Sequence, residues 1–392
     1  MFSNRTAWDL SPNAFSLALQ RARRDRALLD LTQSNPTSIG LPYPDAEILA
    51  AIAQPPSLTY EPTPLGHRGA RQAIADTYRD KALAIDPSRI ALTSSSSEAY
   101  AWLLKLLCDP GDSILVPRPS YPLFDDLARI ECVELKGYGL LYDGRWHVDI
   151  ESIRHAVGES TRAVFVVSPN NPTGSYLHRV ELAAIEEIAR ARGLAIVSDE
   201  VFEDYVWVDD PARVACVAAE SRQLSFSLGG LSKSVCLPQM KLGWIVVGGP
   251  ESDASQALGR LEMLADTFLS VGTPVQHAAR SLLELRKPIQ EQLRTRIRSN
   301  LGALRSSIGQ GSALNALEVA AGWYAVLRVP RVMTDEQWAV RLVLEDGVVV
   351  HPGSFFGFQQ EGYLVVSLIA QEDLFAEAIR RVVARVAIEC GQ

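Results

Sequence analysis

Four short stretches of this chain carry residue types that can do chemistry, and each follows an apolar run. Lys233 stands in Gly229-Gly230-Leu231-Ser232-Lys233, ahead of a segment that leads through Pro238 and Lys241 to Gly243-Trp244. Lysine is almost always exposed, so this string alone also fits a turn with a solvated amine. Asp199-Glu200 closes the run Leu194-Ala195-Ile196-Val197-Ser198. A carboxylate at the end of a buried strand is costly to desolvate unless it meets a positive partner or hydrogen-bond donors, and capping the turn Val201 to Tyr205 would supply such donors. Ser168-Pro169-Asn170-Asn171-Pro172-Thr173-Gly174 follows Ala163 to Val167, and its prolines and glycine fix a loop that presents two amides. Thr93-Ser94-Ser95-Ser96-Ser97-Glu98 follows Ile90 to Leu92 and opens a helical stretch. Such a place offers free N–H groups and a favourable dipole to a phosphate, although a plain serine N-cap fits the same letters.

Taken as a set, the four stretches leave one job for each group. A lysine amine forms a Schiff base with an aldehyde, and the cofactor that exploits this is pyridoxal 5'-phosphate, whose ring draws electrons while its nitrogen stays protonated beside a carboxylate. Lys233 would take the aldehyde carbon as an aldimine and later shuttle protons. Asp199 would face the pyridinium, Asn171 the ring hydroxyl, and the Ser95, Ser96 and Ser97 N-terminus the phosphate.

The elements that must position these groups alternate. Helical spacing covers Phe15 to Leu29, Gly69 to Ala82, Ser97 to Leu107 and Glu181 to Arg192, the last ending at Gly193. Between them run short, continuous apolar segments at 90–93, 113–117, 163–167, 194–198 and 242–247. Runs of this kind suit strands covered on both faces, so the pattern predicts an α/β fold with a mostly parallel sheet. Ligands of such sheets sit at the carboxyl ends of the strands, where all four stretches lie, the lysine following Ser225-Phe226-Ser227-Leu228.

Composition narrows the function classes. With 392 residues, 47% of them apolar, the chain can bury a large core, and its size predicts two domains or one large domain with an attachment. A net charge of −8 without long like-charge runs argues against nucleic-acid or acidic-membrane binding. The basic cluster Arg21 to Arg26 reads as the solvated face of a helix. Five scattered cysteines without a C-x-x-C pair point to a reducing, cytoplasmic setting with neither zinc site nor disulfide framework. No N-terminal export signal is expected from Met1 to Arg5, and no run of about 18 apolar residues predicts a membrane span.

The ordered motifs resemble those of the class I/II aminotransferases, the fold type I pyridoxal-phosphate enzymes of the aspartate aminotransferase fold. The resemblance runs from Tyr60-Glu61-Pro62 and Arg71 through Pro110-Gly111-Asp112, Pro119-Ser120-Tyr121-Pro122 and the Asn-Asn-Pro-Thr-Gly and Asp-Glu loops to Ser232-Lys233 and His351-Pro352-Gly353-Ser354-Phe355-Phe356-Gly357. It implies a large cofactor-binding domain with a seven-stranded, mostly parallel sheet at about residues 45–285, and a smaller α/β domain from 1–44 and 286–392. Ala254 to Gln310 would supply a connecting helix. Tyr121 would stack on the cofactor ring, and Tyr60 would reach the phosphate of a neighbouring subunit's cofactor, which implies a homodimer with shared sites. Amino acids and keto acids would be the substrates.

Several positions depart from the family pattern. Phe202 stands where a tyrosine hydroxyl usually helps hold the ring oxygen, Lys241 where an arginine clamps the phosphate, Gly230 where a serine is usual, and Ser95 where the phosphate loop has a glycine. Lys241 keeps the charge but not the fork of a guanidinium. In Gly362-Tyr363-Leu364-Val365-Val366-Ser367-Leu368, Val365 replaces the arginine that grips a substrate carboxylate in most relatives. Arg328, His351, or groups of Ser34-Asn35 are the substitutes the sequence offers. The expected reaction is amino transfer; β-elimination or a decarboxylase-like reaction on the same fold, or a binding protein without turnover, are the alternatives. Only some 30 residues precede the family match, too few for the fused DNA-binding domain such regulators carry.

Overall fold

Aliphatic runs that bury both faces of a strand build the centre of the molecule. The computed structural model describes residues 1–391. Eight strands form one sheet in the order Ile90–Thr93, Gly243–Gly248, Ser225–Gly230, Ala195–Asp199, Thr161–Val167, Ser113–Arg118, Glu134–Tyr142, Trp146–Val148. The four pairings from Ser225–Gly230 to Glu134–Tyr142 are parallel, and those at both margins are antiparallel. The mostly parallel sheet is thus present, but with eight strands where seven were expected. The extra one is Trp146–Val148, which folds back on Glu134–Tyr142. That margin alternates between exposed and half-buried residues, so it lacks the continuous apolar signature of the central strands.

Helices Ser96–Leu107 and Glu251–Phe268 pack one face of this sheet. Arg179–Arg192 packs the other, and it ends where Gly193 takes a left-handed φ of 65°. Every residue of Ala195–Asp199 is buried in between.

A second, antiparallel sheet has the order Asn315–Ala316, Tyr324–Arg328, Tyr363–Ser367, His351–Pro352. Helix Arg286–Ser307 is tied to it through Asn300, whose side-chain amide donates to the carbonyls of Leu368 and Ala370, both at 2.8 Å.

Two helical expectations need correction. The first helix is Ala14–Asp25, not Phe15 to Leu29: Arg26 is extended, its guanidinium held by the carbonyls of Val343 and Glu345, and Leu29–Asp30 pairs in parallel with Val348–Val349. Contacts distant in sequence thus override a local helical pattern. The stretch from Ala254 to Gln310 is three helices, Glu251–Phe268, Thr273–Glu284 and Arg286–Ser307. The first break is a left-handed residue at Leu269, followed within a few residues by Pro274 near the start of the next helix. Each helix keeps its own apolar stripe, so the periodicity runs on across the breaks. Among the described residues no helix is long and apolar enough to cross a membrane.

Candidate active site

Strand Ser225–Gly230 runs out in two glycines, and the chain turns at once into the four-residue helix Leu231–Ser234. The Leu231 amide donates to the Leu242 carbonyl at 2.9 Å, and the Tyr205 hydroxyl donates to the Lys233 carbonyl at 2.9 Å, so the lysine backbone is held from two sides. Its amine lies 4.6 Å from the Trp323 ring centroid and 5.4 Å from that of Phe202. Burial pulls the Lys233 pKa down to about 8 against the opposing influence of Cys236 and Asp199. An amine with that pKa is a usable base near neutral pH.

Asp199 is 7% exposed and receives two hydrogen bonds, from the Tyr100 hydroxyl at 2.6 Å and from the Val201 amide at 3.1 Å. The carboxylate therefore caps the turn and also faces the lysine. Burial raises its pKa, while Tyr100, the Val201 amide and the Lys233 amine pull the other way. Tyr121, 42% exposed, is close enough for the Asp199 charge to help raise its pKa, after burial. Glu200 goes elsewhere, because successive side chains of a strand point to opposite faces. It accepts from the Val217 amide at 2.8 Å and the Ser227 hydroxyl at 2.7 Å, its second oxygen has no partner, and burial pushes its pKa up to about 7.

The Asn-Pro loop is braced by Asn170, whose side-chain oxygen accepts from the Thr173 amide at 3.3 Å and hydroxyl at 2.9 Å. Asn171 is left with a buried side-chain oxygen that has no partner. Gly174 has φ +69°, and a Cβ there would sit 2.4 Å from the Ala321 carbonyl oxygen. The glycine lets this loop press against the segment that leads into Trp323.

At the serine run the structure shows the N-cap. The Ser95 hydroxyl caps the helix by accepting from the Glu98 amide at 3.2 Å, and Glu98 in turn accepts from the Ser94 amide at 2.6 Å. The amides of Ser96 and Ser97, in the first turn, still have no intrahelical acceptor. Gly243 brings the second strand alongside, since a Cβ there would lie 2.9 Å from the Thr93 hydroxyl and 3.0 Å from the Ser95 carbonyl carbon. Lys241, two residues earlier, is exposed with φ 52°.

The fold thus gathers Lys233, Asp199, Tyr121 and Phe202. Phe202 is 3% exposed and packs edge-on against Trp323 at 5.3 Å. Tyr60 is not gathered with them: it is 76% exposed and lines a surface cavity with Pro62, Ser270 and Gln276.

The family model described as aminotransferase class I and II matches residues 28–382, a span that takes in both sheets. The chain belongs to that family. Glutamate-pyruvate aminotransferase of Haemophilus influenzae is 25% identical over 381 residues, covering 95% of this chain and 94% of the relative. Human tyrosine aminotransferase is 26% identical over 413 residues, covering 97% of this chain and 88% of its own. Among solved structures, alanine aminotransferase from Pyrococcus furiosus superposes with a TM-score of 0.88 at 22% identity, covering 99% of this chain and all (100%) of the other, which shows a shared fold. N-Succinyldiaminopimelate aminotransferase from Mycobacterium tuberculosis gives 0.83 at 25% identity, with 98% and 100% covered.

Two residues of this aminotransferase site escaped the sequence reading. Tyr100 reaches Asp199 across 99 positions of sequence, and its place one turn into the serine-capped helix is the one local signal that pointed there. Trp323 is fully buried with an indole N–H that has no partner, and nothing in Gly322-Trp323-Tyr324 ties it to Lys233. Of the substitutes for a guanidinium at Val365, Arg328 is exposed at the end of its strand, whereas His351 lies directly across from Val365.

Proposed function

We propose that the protein is a pyridoxal 5'-phosphate-dependent transaminase that moves an amino group between an amino acid and a keto acid. The observation that carries this reading is a half-buried Lys233 amine, with its pKa brought to about 8, set beside the buried Asp199 carboxylate in a chain of this family. Bound there, the cofactor supplies an electron sink that stabilises charge at the carbon losing its proton.

The residues present fit that group. Lys233 would hold the aldehyde, and Asp199, oriented by Tyr100 and the Val201 amide, would face the ring nitrogen, whose positive charge offsets the burial that raises the carboxyl pKa. Asn171, with its unpartnered amide oxygen, would meet the ring hydroxyl, and Tyr121 the ring face. Ser95, the free amides of Ser96 and Ser97, and Lys241 would meet the phosphate. Phe202 supplies an apolar edge in place of a hydroxyl. The Lys233 amine would take the proton from the substrate carbon and deliver it to the carbon that receives the amino group, while Phe202 and Trp323 would keep water from the amine.

Around this site we infer a cofactor-binding domain at residues 45–285 and a covering domain from 1–44 and 286–392. A homodimer is supported by exposed apolar side chains around Tyr60, including Leu58 at 91%, and by Phe268 at 54%. Tyr60 would then serve the partner subunit's phosphate. A cytoplasmic setting is supported by five free cysteines.

The test is a half-reaction. Protein loaded with the cofactor should show a visible absorption band that Lys233→Ala lacks, and an amino donor should bleach it with equimolar release of keto acid. Release of ammonia without conversion of the cofactor to its aminated form would replace transfer with elimination.

A further inference from the structure

The antiparallel sheet turns one face toward the Lys233 cluster. Tyr324 belongs to that face: its ring lies 6.3 Å from Phe202, and Tyr121 and Ser34 are its neighbours. Val326, two residues on, pairs with Val365, and Val365 pairs on its other side with His351. Residues directly opposite in an antiparallel pair share a face, with Cβ atoms about 5 Å apart. Tyr324, Val326, Val365 and His351 therefore form one wall. Arg328 has the same parity, but it is exposed at the far end of its strand opposite Tyr363. Among the described residues, His351 is the one basic side chain of this wall inside the fold.

The surroundings of His351 are unusual for an imidazole. Its Nδ1 is buried and has no hydrogen-bond partner, a state that costs free energy until a ligand supplies one. Phe356 and Phe355 pack against the ring at 5.6 and 6.3 Å, and Val365 faces it across the strand. The Thr32 main chain is hydrogen-bonded to the ring, and Asp30 beside it is the one charged group among these neighbours. A substrate carboxylate entering this wall would be buried without a cation, which is unfavourable unless a partner becomes charged.

We propose that His351 binds the carboxylate of the amino-acid and keto-acid substrates and takes up a proton from solvent as it does so, where Val365 leaves the strand without a cation. The proposal rests on the transaminase reading. In the free protein burial lowers the His351 pKa, with Asp30 and the hydrogen bond to the Thr32 main chain opposing, so the imidazole is neutral at pH 7. The arriving carboxylate adds a second negative charge to that of Asp30 and makes the imidazolium the favoured form. Binding coupled to uptake of one proton weakens by about tenfold per pH unit as pH rises between the free and bound pKa values.

Titrating the cofactor-loaded protein with succinate, read through the visible band of the cofactor, tests this. Affinity of the unsubstituted protein should fall with pH by that factor relative to His351→Asn, which carries the same titration of the cofactor. His351→Asn should bind at least about tenfold more weakly at the acid end. Adding Val365→Arg to His351→Asn should restore binding without the extra pH slope, which also shows that the fold has survived. Equal affinity and equal slope in the unsubstituted and His351→Asn proteins overturn the proposal. No spectral response to succinate at any pH also overturns it, while donor-driven bleaching of the band decides separately whether the protein transaminates.

Discussion

The carboxyl-terminal rim of the large sheet and the facing wall of the small one meet at the same lysine but are built on opposite terms. On the rim, chemistry-bearing side chains are held by neighbours: Asp199 by Tyr100 and Val201, Glu200 by Val217 and Ser227, and the Lys233 backbone by Tyr205 and Leu242. On the wall, Val326 and Val365 pair across the strands, and its one basic group inside the fold among the described residues, His351, has an unpartnered nitrogen. Groups that serve every turnover gain from being fixed beforehand. Groups that select a ligand can keep a hydrogen bond unmade until that ligand arrives. On the proposed function the rim would set the reaction, and the wall would set what undergoes it.

If the rim is indifferent to the substrate, Lys233→Ala should cut turnover on the order of 10⁴-fold with every donor alike. A donor that escapes this loss in steady-state assays would break the division. Asp199→Ala should cost about 10²- to 10³-fold, again with any donor, with weaker cofactor binding measured by equilibrium dialysis.

Glu200 probes the rim's other face through stability. Its folded pKa is raised from 4.5 to about 7, so the folded state holds a proton that the unfolded state has released. Stability should therefore fall as pH rises from the lower value to the higher, by up to about 3 kcal/mol. Urea midpoints compared across that interval should lose this slope in Glu200→Gln, which keeps the oxygen that accepts from Val217 and Ser227. A slope that survives the substitution assigns the proton elsewhere. At the seam between rim and wall, Gly174→Ala forces a side chain into a left-handed backbone against the Ala321 carbonyl and should cost about 1–3 kcal/mol in the same measurement. An unchanged midpoint would mean that loop and wall move independently.

Legibility followed the local signals. The central strands carry continuous apolar runs because both faces are covered, and Gly193 marks a helix end by its left-handed backbone, so each could be read from its own residues. Glu134–Tyr142 and Trp146–Val148 lie at a half-exposed margin and offered no such run. The first helix was read four residues too long because what stops it is a guanidinium held by carbonyls more than three hundred positions away. Tyr100 and Trp323 act on Asp199 and Lys233 from distant segments, so their types, common in any core, said nothing about role.

Residue identity and order were enough to place the lysine, the carboxylate, the amide loop and the serine-capped helix at strand ends, because a strand end followed by a turn is a local event that puts its next residues at one rim. They were enough, too, for the absence of a guanidinium at Val365. Two matters depended on the chain packing against itself. One is the protonation chemistry: the same burial that lowers the Lys233 pKa raises those of Asp199 and Glu200, and burial is a property of neighbours, not of letters. The other is which of the candidate cations lies beside Val365. Strand register puts His351 directly opposite Val365 and leaves Arg328 exposed at the strand's end, and register is set by hydrogen bonds between segments that no single stretch contains.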